Sequence, residues 1–139
     1  MKRRWLAPAL AALLASGCDL LEPGEADRVP GRYRLATYGG QALPAVIAGD
    51  AAGNRVELRS AELELRRNFR WVLVQRVESV AGGARTPAVL ADSGIFRFNT
   101  VPGEIFVTTP DGRPHPANLR GADTVDVFWS YQRHDVFVR

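Results

Sequence analysis

The chain has 139 residues, 46% of them hydrophobic and 9% aromatic, with a single Cys. That length suits one compact domain of roughly 100–200 residues; the apolar content excludes a disordered charged tail, and one Cys excludes an internal disulfide framework. The net charge of +3 resides in Lys2, Arg3 and Arg4, because the 15 Arg from Cys18 onward meet 15 Asp and Glu. A phosphate-tracking surface needs a net positive stripe, so composition gives nucleic-acid binding no support.

Met1–Arg4 is a positive start, and Trp5–Ala15 is an apolar run of 11 residues. As a helix it reaches only about 16 Å, against roughly 30 Å of hydrocarbon, so it reads as an export signal rather than a span. Ser16 and Gly17, both small, precede Cys18. Leu14–Ala15–Ser16–Gly17–Cys18 resembles the lipobox of bacterial lipoproteins, with Ala15 where Leu is commonest. The resemblance implies cleavage before Cys18 and diacylglycerylation of its thiol. It also implies a cell-envelope protein facing the periplasm, held to the membrane by acyl chains on Cys18. Two or more chains anchor stably, at about 0.8 kcal/mol per buried CH₂. By likeness to enterobacterial sorting, Asp19 implies retention at the inner membrane. The plainer alternative is a secretory signal in which Cys18 is incidental. The expected organisation is a signal peptide over 1–17, a lipidated Cys with a flexible tether over 18–30, and a folded domain over 31–139. The tether reading rests on Pro, Gly and four acids within Asp19–Pro30; a short helix at Leu20–Leu21 is optional.

From Gly31 onward the apolar residues recur with period two, the pattern of strands with distinct faces. Tyr33, Leu35 and Thr37 alternate with Arg32, Arg34 and Ala36, and Val56 and Leu58 with Glu57 and Arg59. Ala61, Leu63 and Leu65 then alternate with Glu62, Glu64 and Arg66, and the flip of phase between Ser60 and Ala61 predicts a bulge there. Arg67–Asn68 has turn chemistry, with Asn68 supplying positive φ, and Phe69–Val80 reads as a long strand. Leu43–Gly49 is too short and too rich in Ala and Gly to assign. Ala81–Ser93 reads as a looser stretch with Val89–Leu90 a short strand inside it. Gly94–Asn99 and Glu104–Thr108 flank a hairpin turn. A Pro-rich loop runs from Pro110 to Gly121, and Asp123–Ser130 and Asp135–Arg139 form the last pair. Seven or eight strands with short connections predict an all-β fold, an up-and-down antiparallel barrel of about eight strands; an open sandwich is the alternative.

Gly31–Arg32–Tyr33 resembles the G-x-W opening of lipocalins, with Tyr in the aromatic place. Gly31–Pro44 is similar to the start of small bacterial lipocalin-like lipoprotein domains, and Asp135–Arg139 to their apolar, Arg-terminated end. The likeness implies that Arg139, or failing that Arg133, stacks on Tyr33 and closes one end of the barrel.

The residues that carry chemistry are sparse. His115 and His134 have no metal-ligand spacing around them, so no metal or other cofactor is expected. Asp111, Asp123, Asp126 and Asp135 are placed at strand ends, where a carboxylate commonly bonds local backbone. No nucleophile motif is present, and the chain reads as a non-enzyme; a hydrolase would need His115 or His134 beside a carboxylate in a cleft. The aromatics allow three readings: a packed core, a pocket for a small apolar ligand lined by Trp71, Phe96 and Phe98, or an outward patch with Trp129 and Phe137. The expected function is therefore non-catalytic binding of a small apolar ligand or an envelope protein. The alternative is an interaction or inhibitor module with a filled core and no ligand cavity.

Overall fold

A computed structural model describes residues 24–139; Cys18, Asp19 and the segment expected to be a signal peptide lie outside the described residues. A four-residue helix α1 (Glu25–Arg28) leads into ten strands: β1 (Gly31–Tyr38), β2 (Gln41–Ala42), β3 (Ala45–Gly49), β4 (Arg55–Leu65), β5 (Arg70–Ala81), β6 (Ala84–Phe98), β7 (Glu104–Thr108), β8 (Pro114–Arg120), β9 (Thr124–Ser130) and β10 (Arg133–Val138). From β4 to β10 each strand pairs antiparallel with the next, and β1 pairs with both β10 and β4. The ring β1-β10-β9-β8-β7-β6-β5-β4 is a closed eight-stranded antiparallel barrel, as the period-two pattern predicted. Closure leaves none of these strands' barrel portions as a bare edge.

The two extra strands flank the gap where β1 and β4 part. Their mutual pairing covers only Gly31↔Leu65 to Arg34↔Glu62. Beyond it, β2 folds back on the end of β1, and β3 takes the first half of β4. β3 lies within Leu43–Gly49, whose Ala and Gly content gives no strand signal in the sequence.

Inward positions carry the core: Tyr33, Leu35, Leu58, Leu63, Leu65, Trp71, Leu73, Phe96, Ile105, Val107, Val125, Val127 and Phe137 are buried in one cluster. Phe137 is therefore inside the barrel, and its expected place on an outward patch is corrected. The bulge in β4 falls between Leu58 and Ser60, one step before the phase flip.

Three local expectations need correction. The positive φ of the β4–β5 turn belongs to Phe69 (φ 60°), not Asn68. Arg66 and Arg70 close a three-residue loop whose last position is left-handed, a standard hairpin geometry. Phe69 is held there by its ring, which lies 5.8 Å from Phe96 and 6.3 Å from Phe98.

The stretch Ala81–Ser93 is not loose. Gly82 and Gly83, both at positive φ (55° and 85°), make a two-residue turn, and β6 then runs unbroken to Phe98. Its first ten residues are exposed on both faces, so the in–out alternation that marks a strand is missing.

The Pro-rich loop contains β8. Thr109 N–H donates to Arg113 O and Leu119 N–H to Gly103 O, so odd-numbered residues of β8 bond β7. Pro114 and Pro116 fall at the other phase, before pairing with β9 begins at Ala117. Their missing N–H groups cost the sheet nothing there.

Candidate functional site

One end of the barrel is closed by the chain's own entry and exit. Arg139 Cζ lies 4.9 Å from the Tyr33 ring centroid, and Arg133 Cζ lies 4.4 Å from the Tyr38 ring at the other end. Among the residues expected to line an interior pocket, Phe96 and Phe98 meet at 6.0 Å and join Phe69 toward the closed end. Trp71 is apart from them in the same core. Its indole N–H donates to Thr108 O at 3.0 Å, and its ring meets Trp129 edge-on at 6.1 Å. A Cβ on Gly94 would overlap Thr108 O and lie 2.7 Å from Trp71 Nε1, so this crossing requires glycine.

Trp71, Leu58, Leu63, Ile105, Val107, Ala117, Val125 and Val127 all have 0% exposure. A side chain with no accessible surface borders no void that would admit a water. Around these residues the barrel is packed with side chains. Trp129 is half-buried, and its Nε1 has no hydrogen-bond partner among the described residues; the centroids of the Trp129 and His115 rings are 5.3 Å apart.

His134 lies beside a carboxylate, as a hydrolase would need. Its Nδ1 is 2.9 Å from Asp126 Oδ1, and Arg120 donates to Asp126 Oδ2 at 2.9 Å. The pair is on the outward side of β9 and β10, with the His134 ring stacked on Phe128 at 5.5 Å. Asp126 is only 1% exposed, so the arginine and histidine lids compensate a buried charge. Asp135 is the matching case on the inner side, bonded by Arg133 Nη2 at 2.9 Å and by Gly39 N–H at 3.0 Å. Asp126 is ion-paired across elements, to Arg120 of β8, whereas Asp135 pairs with Arg133 of its own strand; Asp111 bonds locally, but to the Thr109 hydroxyl. Among the described residues, His134 ring nitrogens bond only Asp126, and no group of three His, Cys, Asp or Glu is placed to hold a metal.

Open features lie outside the core. The β5–β6 pairing continues from Arg70↔Ile95 to Ala81↔Ala84, whereas β6 meets β7 only over Ile95–Phe98. Residues Ala84–Gly94 therefore bond β5 alone, and β3, the first half of β4, and the paired ends of β5 and β6 form an arm beyond the barrel. One face of the arm carries a charge cluster. Glu57 and Glu78 stand directly opposite each other, an arrangement that repels on its own. Arg55 Nε lies 2.7 Å from Glu57, Arg85 Nη1 lies 3.3 Å from Glu57 and 2.7 Å from Glu78, and Arg59 bonds both. Hydrogen bonds from Arg55 to Glu57, and from Arg59 and then Arg85 to Glu78, hold both carboxyls below the usual range.

Beside this cluster a groove of about 420 Å³ runs between Arg76, Pro87 and Val89. At the free edge Val89 and Leu90 are 59% and 48% exposed. A second recess, of about 460 Å³, opens where β1 leaves β4; Arg34, Ser60, Glu62 and Arg76 rim it over Leu35 and Ala61. Neither recess is lined by Trp71, Phe96 or Phe98. The arm was missed on sequence because its signal is the loss of alternation in Ala84–Ser93. Among the described residues no helix is long and apolar enough to cross a membrane. Neither protein-family models nor the curated proteins give a match to this chain.

Proposed function

We propose that this chain is a lipid-anchored, non-catalytic binding protein of the bacterial cell envelope that engages another polypeptide on the outside of a filled barrel, through the arm. The supporting observation is the combination of a core whose fully buried side chains, Trp71 among them, border no water-sized void and an arm with an unpaired strand edge bearing Val89 and Leu90. An extended edge can bond a partner backbone while neighbouring side chains select it. Cys18, by its lipobox setting, supplies the anchor.

A second reading rests on the β1/β4 recess. Arg34 and Arg76 have no ion pair among the described residues, and the floor of Leu35 and Ala61 is apolar. That combination suits a small amphiphile with an anionic head.

Native mass spectrometry of the protein purified from its own membrane separates the two. A polypeptide complex without a retained small molecule is the expected result. A stoichiometric small molecule that is lost in Arg34→Ala/Arg76→Ala would overturn the first reading. In the same cells an alkyne fatty acid labels the chain, and label persisting in Cys18→Ser would remove the anchor.

A further inference from the structure

We propose that the arm's partner is a second copy of this chain, with β6 pairing antiparallel to its own copy about a two-fold axis at Leu90. The proposal rests on the reading above and names the polypeptide.

The hydrogen-bond phase of β6 fixes which groups are available. Phe96 N–H donates to Phe69 O at 2.8 Å, so even-numbered residues of β6 turn their polar groups toward β5. Asn99 N–H donates to Glu104 O at 2.9 Å, which places the odd-numbered residues on the opposite edge, where β7 is met. Along the stretch without β7, the outward residues are Arg85, Pro87, Val89, Ala91 and Ser93.

Two of these are already closed. Pro87 has no N–H, and Ser93 N–H donates to Asp92 Oδ1 at 2.8 Å. Val89 and Ala91 remain between them, with outward N–H and C=O groups that have no partner among the described residues.

A two-fold axis at Leu90 uses this window completely. Val89 faces Ala91 of the copy and Ala91 faces its Val89, which makes four backbone hydrogen bonds. Pro87, lacking a donor, faces a Ser93 whose donor is engaged at home, so neither loses a bond. Leu90 meets its own counterpart, and Ala88 meets Asp92, so no like charges oppose. An axis at Ala91 would require Ser93 to leave Asp92, and one at Val89 would set Pro87 against the carbonyl of Ala91. The contact uses one edge on both copies and so closes at a dimer. Four bonds make it weak in solution, and confinement of both copies to one membrane raises their effective concentration.

The test uses the full-length chain in its native membrane. In an antiparallel pair the facing, non-hydrogen-bonded residues have Cα atoms about 4.5 Å apart, within disulfide reach. Leu90→Cys is therefore expected to give a reductant-sensitive dimer under mild oxidation. Val101→Cys, comparably exposed at 49% but in the loop at the closed end, is expected not to; the parent chain reports any contribution from Cys18. Adding Val89→Pro removes an intermolecular donor without removing a bond to β5, and lowers the dimer yield several-fold. Equal yields at positions 90 and 101, or no effect of Val89→Pro, would overturn the pairing. Cross-linking of Leu90→Cys to a different polypeptide would also overturn it, while leaving the arm's binding role intact.

Discussion

At the closed end, the guanidinium of Arg139 lies over the Tyr33 ring while its Nη2 donates to Pro30 O at 2.6 Å and to Tyr33 Oη at 3.2 Å. The Tyr33 hydroxyl donates to Val29 O at 2.5 Å. Burial raises the phenol's pKa, partly offset by Arg139, so Tyr33 is a neutral donor through the neutral range. A Cβ on Gly31 would overlap Arg139 Nη2, so a larger residue there would require the guanidinium to shift from its place over Tyr33. Arg139→Ala should lower the unfolding free energy by about 2 kcal/mol, combining a cation–π contact with charged hydrogen bonds. In a double-mutant cycle with Tyr33→Leu, denaturant melts should show coupling of about 1 kcal/mol. Coupling indistinguishable from zero would mean that the guanidinium serves the carbonyls alone.

The arm's stability is set by a different balance. Its inward face supplies Leu58 and Val77 to the core, but its β6 strand contributes exposed residues throughout Ala84–Ser93. The Glu57–Glu78 repulsion is held in check by Arg55, Arg59 and Arg85. Both carboxyls titrate below their unfolded values, so their stabilisation is present above the unfolded pKa and is lost as pH falls through the folded one. Hydrogen exchange should therefore show the amides of residues 76–88 opening on acidification below about pH 4, before those of β7–β10. Arg59→Gln/Arg85→Gln should produce the same selective loss at neutral pH. Uniform loosening of arm and barrel would show that the cluster acts on the whole fold rather than on this element.

For the whole molecule, the barrel was legible because its strands have one wet and one dry face: Tyr33 and Leu35, Leu63 and Leu65, and Val125 and Val127 all mark the period directly. The arm was not, because a strand with both faces in water has no period to show. β8 was hidden for another reason, since Pro114 and Pro116 signal a loop unless their bond-free phase is known. The proximity of Arg139 to Tyr33 came from family likeness at the chain ends rather than from spacing. Which carboxylate meets His134 was not legible among the strand-end Asp residues, because the eight-residue separation of Asp126 and His134 becomes adjacency only through the β9–β10 register.

Trp71 stands at the fork where β6 leaves β7, its N–H tied to Thr108 and its ring against Trp129. Splaying that opens at this fork would break that bond and admit solvent to the indole. The molecule thus carries its own optical gauge: a red shift in fluorescence, together with loss of the paired-indole signal in near-ultraviolet dichroism, would record the arm swinging outward without any attached dye.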